Sequence, residues 1–229
     1  MWAVIPLKDF AGAKQRLAEL LSQGERQGLF RAMAEDVLAA ASAAPGLDGV
    51  AALTRDPEAA ALCRRYGIRV LSEPANRGHT AAVESGAAQL AAEGVSAVLT
   101  FPGDIPFVTA AEIGEVAKIH RASAEKGAAM TIVPSGDKLG SNGVALSPPG
   151  AVPLRFGSDS FYPHLAAARA CGIEPVVVEL PGFAHDVDTP DDLRALLARG
   201  ARNRTAVYLA ESGLAARLAP RKILAAVAG

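Results

Sequence analysis

Val95-Ser96-Ala97-Val98-Leu99-Thr100-Phe101-Pro102-Gly103-Asp104-Ile105-Pro106 is the stretch from which the fold is read. Its first seven residues form the most strand-like run in the chain, and Pro102-Gly103 stops it. An alanine-rich helical pattern precedes it at residues 81–92, and Thr109 caps another that runs to about residue 126. The same order repeats outward in both directions. Residues 2–7, 49–54, 68–71, 128–134, 143–147 and 173–180 read as further strands. Helical patterns at 24–44, 56–66 and 189–198, and one reaching Gly172, lie between most of them. Strands alternating with helices predict a three-layer α/β fold with a mostly parallel sheet. Residues 1–198 are expected to form this domain. Residues 199–229, rich in arginine and alanine, read as a helical C-terminal appendage, an arm for packing or for a homodimer contact.

The bulk numbers set bounds on function. With 229 residues, half of them apolar, the chain can bury one substantial core. A formal charge of −1, with neither sign blocked along the chain, argues against nucleic acid or an anionic membrane as partner. Any anion must then be held locally, by a few cations in a pocket. Cys63 and Cys171 are too few and too far apart for a disulfide framework or a zinc cluster, and both read as buried, reduced thiols. Met1 leads directly into a strand, and no uncharged apolar run approaches the ~20 residues of a membrane helix, so a cytoplasmic location is expected.

In open parallel sheets, ligands gather beyond the carboxyl ends of the strands, so the loops there hold the candidate chemistry. Lys8, Lys14 and Arg16 follow the first strand and suit a phosphate, although a solvated loop carries such charges too. Asn76-Arg77-Gly78-His79-Thr80 opens a helix whose N-terminus favours an anion, where an ordinary cap is the plain alternative. Asp104 sits between Pro-Gly and Ile-Pro in a stiff turn that presents a carboxylate, or merely forms the turn. Ser141 and Asn142 lie in a Gly/Ser/Asn-rich loop. Gly157, Ser158 and Ser160 precede a helix, as an anion cradle or as a simple cap by Ser158 or Asp159.

The acidic stretch Asp186-Val187-Asp188-Thr189-Pro190-Asp191-Asp192-Leu193 completes the set. Thr189 and Pro190 mark a helix start. On an extended segment, Asp186 and Asp188 share one face, and two carboxylates held that closely call for a cation. A Mg2+ site at a strand end and an acidic helix N-terminus that binds nothing are both compatible with this octapeptide. Taken together, cations, three carboxylates and a small-residue cradle match what nucleotidyl transfer with Mg2+ requires.

The order of these pieces resembles a known family. Val4-Ile5-Pro6-Leu7-Lys8 with Ala13-Lys14-Gln15-Arg16-Leu17, then Pro102-Gly103-Asp104-Ile105-Pro106, Phe156-Gly157-Ser158-Asp159-Ser160-Phe161 with His164, and the acidic stretch are similar to the 2-phospholactate / phosphoenolpyruvate / 3-phosphoglycerate guanylyltransferases of deazaflavin coenzyme F-420 biosynthesis. The resemblance covers about residues 1–198. It implies a GT-A-like nucleotidyltransferase fold, that of the nucleotide-diphospho-sugar transferases. It implies GTP and a small phospho-acid as substrates, and pyrophosphate as a product. By the same resemblance Asp104, Asp186 and Asp188 hold Mg2+, and Asp104, Asp188 and Lys14 are the catalytic groups. Lys8, Lys14, Arg16, Gly78, His79 and Thr80 contact the nucleotide, while Ser141, Gly157 and Ser160 hold the phospho-acid. The family's usual Gly-Leu-Asn stands here as Gly78-His79-Thr80, and its Gly-Thr-Asn as Gly140-Ser141-Asn142, which keeps the hydroxyl. A GT-A glycosyltransferase, a molybdopterin nucleotidyltransferase and a non-catalytic nucleotide-binding module are the competing readings.

Overall fold

The computed structural model describes residues 1–72, 78–157, 159–199 and 202–218. Seven strands form one sheet: β1 (Trp2–Pro6), β2 (Gly49–Leu53), β3 (Arg69–Leu71), β4 (Val98–Thr100), β5 (Ala129–Pro134), β6 (Ser141–Ser147) and β7 (Val176–Val177). Their order is β3-β2-β1-β4-β6-β5-β7, and β6 alone runs antiparallel to its neighbours β4 and β5. The helices are α1 (Gln23–Ser42), α2 (Pro57–Arg65), α3 (His79–Ala92), α4 (Ala110–Ala124), α5 (Phe161–Ala170), α6 (Pro190–Ala198), α7 (Arg204–Glu211) and α8 (Leu214–Leu218).

Side-chain alternation on β1 divides the core. Ala3 and Ile5 face the layer of α1, α2, α4, α6 and α7, while Val4 faces the layer of α3 and α5. Helix α1 buries Leu29, Phe30, Met33, Val37 and Leu38 at three- and four-residue spacing. The expected three-layer, mostly parallel architecture is therefore what the chain adopts. Successive strands step from β1 to β2 to β3, and α3 then carries the chain back to β4 on the other side of β1. That reversal leaves a crevice beyond the ends of β1 and β4.

Four local expectations are corrected. Ser141 and Asn142 are the first residues of β6 and not loop residues. The strand expected at 173–180 shrinks to Val176–Val177, because Pro175 and Pro181 flank an edge that pairs with β5 alone. Asp186 and Asp188 lie in irregular chain after β7, not at a strand end. Cys63 is buried, but Cys171 is exposed at the C-cap of α5, beyond the last buried residue of that helix, Ala168.

The C-terminal helices lie on α1. The Asp36 carboxylate accepts from Arg204 N, Thr205 N and Thr205 Oγ1 at 2.8, 2.9 and 2.6 Å. Tyr208 Oη donates to the Glu25 carbonyl at 3.1 Å, and Leu209 and Leu214 are fully buried. Asn203 Nδ2 also donates to the carbonyl of Pro106 at 2.8 Å, two residues from Asp104. Residues 219–229 of the expected appendage lie outside the described residues. No helix among the described residues is long and apolar enough to cross a membrane.

Candidate active site

The loops after β1 and β4 meet at the crevice. Gly103 packs closely there, since a Cβ would lie 2.4 Å from Leu7 Cδ2 at the end of β1 and would displace that side chain. Asp104 follows directly, and its carbonyl accepts from Val187 N at 3.2 Å. That single backbone contact docks the acidic stretch. Val187 is buried beneath it, so Asp186 and Asp188 on either side turn to the opposite face. Downstream, Thr189 and Asp192 form a capping box, and Asp192 Oδ2 also accepts from Asp188 N at 3.1 Å. The helix start thus fixes the backbone of Asp188 itself.

Lys14 lies under this pair. Its backbone is left-handed (φ 55, ψ 43) between two short 3-10 turns, a conformation that costs an L-residue about 1–2 kcal/mol. The turn aims its side chain inward. Nζ donates to Asp104 Oδ2 at 2.6 Å and to Asp188 Oδ1 at 2.7 Å, and lies 5.6 Å from the centroid of the Phe30 ring. Burial opposes the charge on Lys14, but the two carboxylates outweigh it and raise its pKa. Burial likewise opposes ionisation of Asp188, and Lys14, aided by Lys8 and Arg16, outweighs it and holds the carboxyl low. Asp186 differs. Burial raises it, the charges of Asp104 and Asp188 add to that, and the amide of Asn142 at 3.2 Å offsets only part.

Among the described residues no three His, Cys, Asp or Glu side chains are drawn together into a ready-made metal cage. The donor set nonetheless suits a hard cation. The carboxylates are oxygen ligands, one of them compensated by no ammonium, and Mg2+ is commonly held by one or two carboxylates with substrate phosphates and water.

One cleft of about 730 Å3 is lined by Lys8, Arg16, His79, Asp104, Ser141, Gly157, Ser160, Asp186 and Asp188. Lys8 and Arg16 are exposed and form no ion pair with described residues. A second cleft of about 870 Å3, between the β1 and β2 loops and the start of α3, shares Lys8 and His79 and adds Gly78. Burial, then the nearby Lys8 charge, pushes His79 down to about 4. Thr80 lines neither cleft, and its Oγ1 accepts from Phe156 N at 3.0 Å. Asn76, Arg77 and Ser158 lie outside the described residues.

The far wall is built by β6 and the start of α5. Because β6 is antiparallel, its first residues stand at the same rim as the ends of the parallel strands. Ser141 N donates to Ser160 Oγ at 3.0 Å, and Ser141 Oγ lies 3.0 Å from His164 Nδ1. A Cβ on Gly157 would meet nothing nearer than Asp159 Oδ1 at 3.8 Å, and its φ is not left-handed. Nothing described in the chain itself requires glycine there. Of the two expected caps, Ser158 lies outside the described residues and Asp159 is not the cap. Ser160 occupies that position and makes no side-chain capping bond. The parts played by Asn142, Asp192 and Phe156 were not legible from the motifs. Phe156 packs edge-on against both His79 and His164, at 4.8 and 5.1 Å between centroids.

Residues 1–222 match the protein family described as "Guanylyl transferase CofC like". The chain belongs to this family. It is 38% identical over 195 residues to phosphoenolpyruvate guanylyltransferase from Conexibacter woesei, covering 85% of this chain and 86% of that protein. It is 30% identical over 207 residues to 2-phospho-L-lactate guanylyltransferase from Methanothermobacter thermautotrophicus, covering 90% and 88%. A structure from Desulfovibrio desulfuricans G20, described as a nucleotide-diphospho-sugar transferase, matches in fold with a TM-score of 0.75 at 17% identity, over 94% of this chain and 96% of that chain. This guanylyl transferase is therefore a nucleotidyltransferase, of the family that the four motifs indicated.

Proposed function

We propose that this guanylyl transferase moves GMP from GTP to a small phosphorylated carboxylic acid, releases pyrophosphate and uses Mg2+. The observation that carries the reading is a single cleft lined by the carboxylates Asp104, Asp186 and Asp188, by the cations Lys8 and Arg16, and by the Ser141–Gly157–Ser160 cradle, with Lys14 buried behind the carboxylates. An acceptor phosphate oxygen attacks the α-phosphorus of GTP, the α–β bridging bond breaks, and its electron pair leaves with pyrophosphate. The acceptor is already an oxyanion, so no general base is needed. What the site must supply is position and positive charge. Lys8 and Arg16 suit the GTP phosphates. Lys14 bridges Asp104 and Asp188, and Asp186 with one of them would hold Mg2+, which supplies charge neutralisation when bound. Gly78 and His79 line the adjoining cleft on the nucleotide side.

Phosphoenolpyruvate stands first among acceptors, because the 38% relative carries that name. 2-Phospho-L-lactate and 3-phosphoglycerate offer the same pair of anionic groups. The product would serve coenzyme F-420 assembly in the cytoplasm. The test is pyrophosphate release with Mg2+, crossing GTP, ATP and CTP against the three acids. Release with GTP and one acid is expected, and chelation of the metal should abolish it. Silence in every combination would overturn the reading.

A further inference from the structure

His164 touches none of the charged groups of the site, yet it sets the polarity of one wall. It is 1% exposed and has a partner on each ring nitrogen. Arg155 N donates to Nε2 at 2.9 Å. A backbone N–H can only donate, so Nε2 carries its lone pair and no proton. A neutral imidazole has one N–H, which must then sit on Nδ1, pointing at Ser141 Oγ 3.0 Å away. Burial supports the neutral form by pushing the ring down to about 4.

The consequence falls on the serine. With its oxygen accepting from Nδ1–H, the Ser141 hydroxyl hydrogen turns away from the ring and finds no acceptor among the described residues. Ser160 is in the same condition, since its oxygen accepts from Ser141 N. Both residues line the cleft. Two buried hydroxyls whose oxygens are already engaged are left as donors. The opposite tautomer would absorb the Ser141 hydrogen and present lone pairs, which repel an anion.

We propose that His164 is a positioning residue for the acceptor substrate, and that its Nδ1–H tautomer, enforced by the Arg155 amide, holds the Ser141 hydroxyl as a donor to a carboxylate or phosphate oxygen. This rests on the function proposed above. It makes the wall favour groups that accept hydrogen bonds.

The test compares wild type, His164→Phe, His164→Asn and Ser141→Ala. Phenylalanine removes the donor, whereas the asparagine amide restores one near the Nδ1 position. In His164→Phe, KM for phosphoenolpyruvate should rise about tenfold or more while KM for GTP stays within about twofold. His164→Asn should recover most of that loss. In a Ser141→Ala background the His164→Phe change should have little further effect, because the two residues act as one unit. A purely structural histidine would instead depress both substrates alike and be indifferent to Ser141. Should His164→Phe fail to fold, long-range 15N–1H correlation on wild type decides, with a bare Nε2 and a protonated Nδ1 expected at His164. The reversed tautomer overturns the proposal. Calorimetric titration of wild type with phosphoenolpyruvate separates the two levels. If wild type neither binds nor turns over any of the acids, the proposed function fails and this inference falls with it. If wild type is active and His164→Phe keeps its acceptor KM, only the role of His164 is refuted.

Discussion

Asp188 shares the Lys14 ammonium with Asp104, whereas Asp186 meets the Asn142 amide and two like charges. Substitution should separate them by sign. Asp186→Asn keeps an oxygen for Asn142 and removes a carboxylate that burial disfavours, so the melting temperature at neutral pH should rise while turnover falls at least a hundredfold. Asp188→Asn should also abolish turnover, yet lower stability by about 1 kcal/mol, because Lys14 loses one partner whose side chain is 42% exposed and so partly screened. Calorimetric melting of both variants beside a pyrophosphate assay checks this. Equal shifts in the same direction would refute the assignment. Both carboxylates were legible in the sequence, because two anions two residues apart demand an explanation. Their difference was not, since it depends on Lys14 and Asn142, which are remote in sequence.

At the scale of elements, the start of α6 was legible and the irregular chain that enters it was not. Thr-Pro-Asp-Asp spells a capped helix from local chemistry alone. The segment 186–188 borrows the alternation of a strand while bonding to Asp104 by one amide, which no periodicity distinguishes. Ser141 and Asn142 escaped for a related reason. All seven residues of β6 are buried, so the strand shows no polar alternation, and its Gly-Ser-Asn entry reads as loop. Thr189→Ala should cost about 1 kcal/mol in urea unfolding. It should lower turnover as well, because Asp192, released from the capping box, no longer fixes the Asp188 amide. A stability loss with full activity would show that the cap and the site are independent. Helix α4 is tied to the sheet by His120, fully buried between Thr131 Oγ1 and Ser147 Oγ at 3.0 and 2.9 Å. Burial pushes this ring down to about 4, against about 6.5 when unfolded. The unfolded chain therefore binds a proton in that window which the native ring does not. Stability falls as pH drops through it and is insensitive above it. The loss in urea midpoint between about pH 7.5 and 5.5 should be larger for wild type than for His120→Gln, and equal losses would count against this account.

For the whole molecule, strand–helix alternation announced the layers, but strand order and the reversal around β1 are tertiary facts that no local pattern records. The place of the C-terminal helices was equally hidden. Their partner is Asp36, a residue of α1 that no motif singles out. Ending the chain at residue 198 would strand that buried carboxylate without its three donors and uncover the α1 surface under Leu209 and Leu214. The truncated protein should melt about 10 °C lower or lose cooperative unfolding altogether, as a thermal scan by circular dichroism would show. An unchanged transition would mark the helices as dispensable. The same clasp imposes an order on biosynthesis. Asp36 and Thr205 are 169 positions apart. At ribosomal speeds of about 5–20 residues per second, α1 waits on the order of ten to thirty seconds for the segment that covers it. The nascent chain thus emerges with one flank of its first long helix bare, so its folding is completed late and this flank is where a holdase chaperone would find its hold.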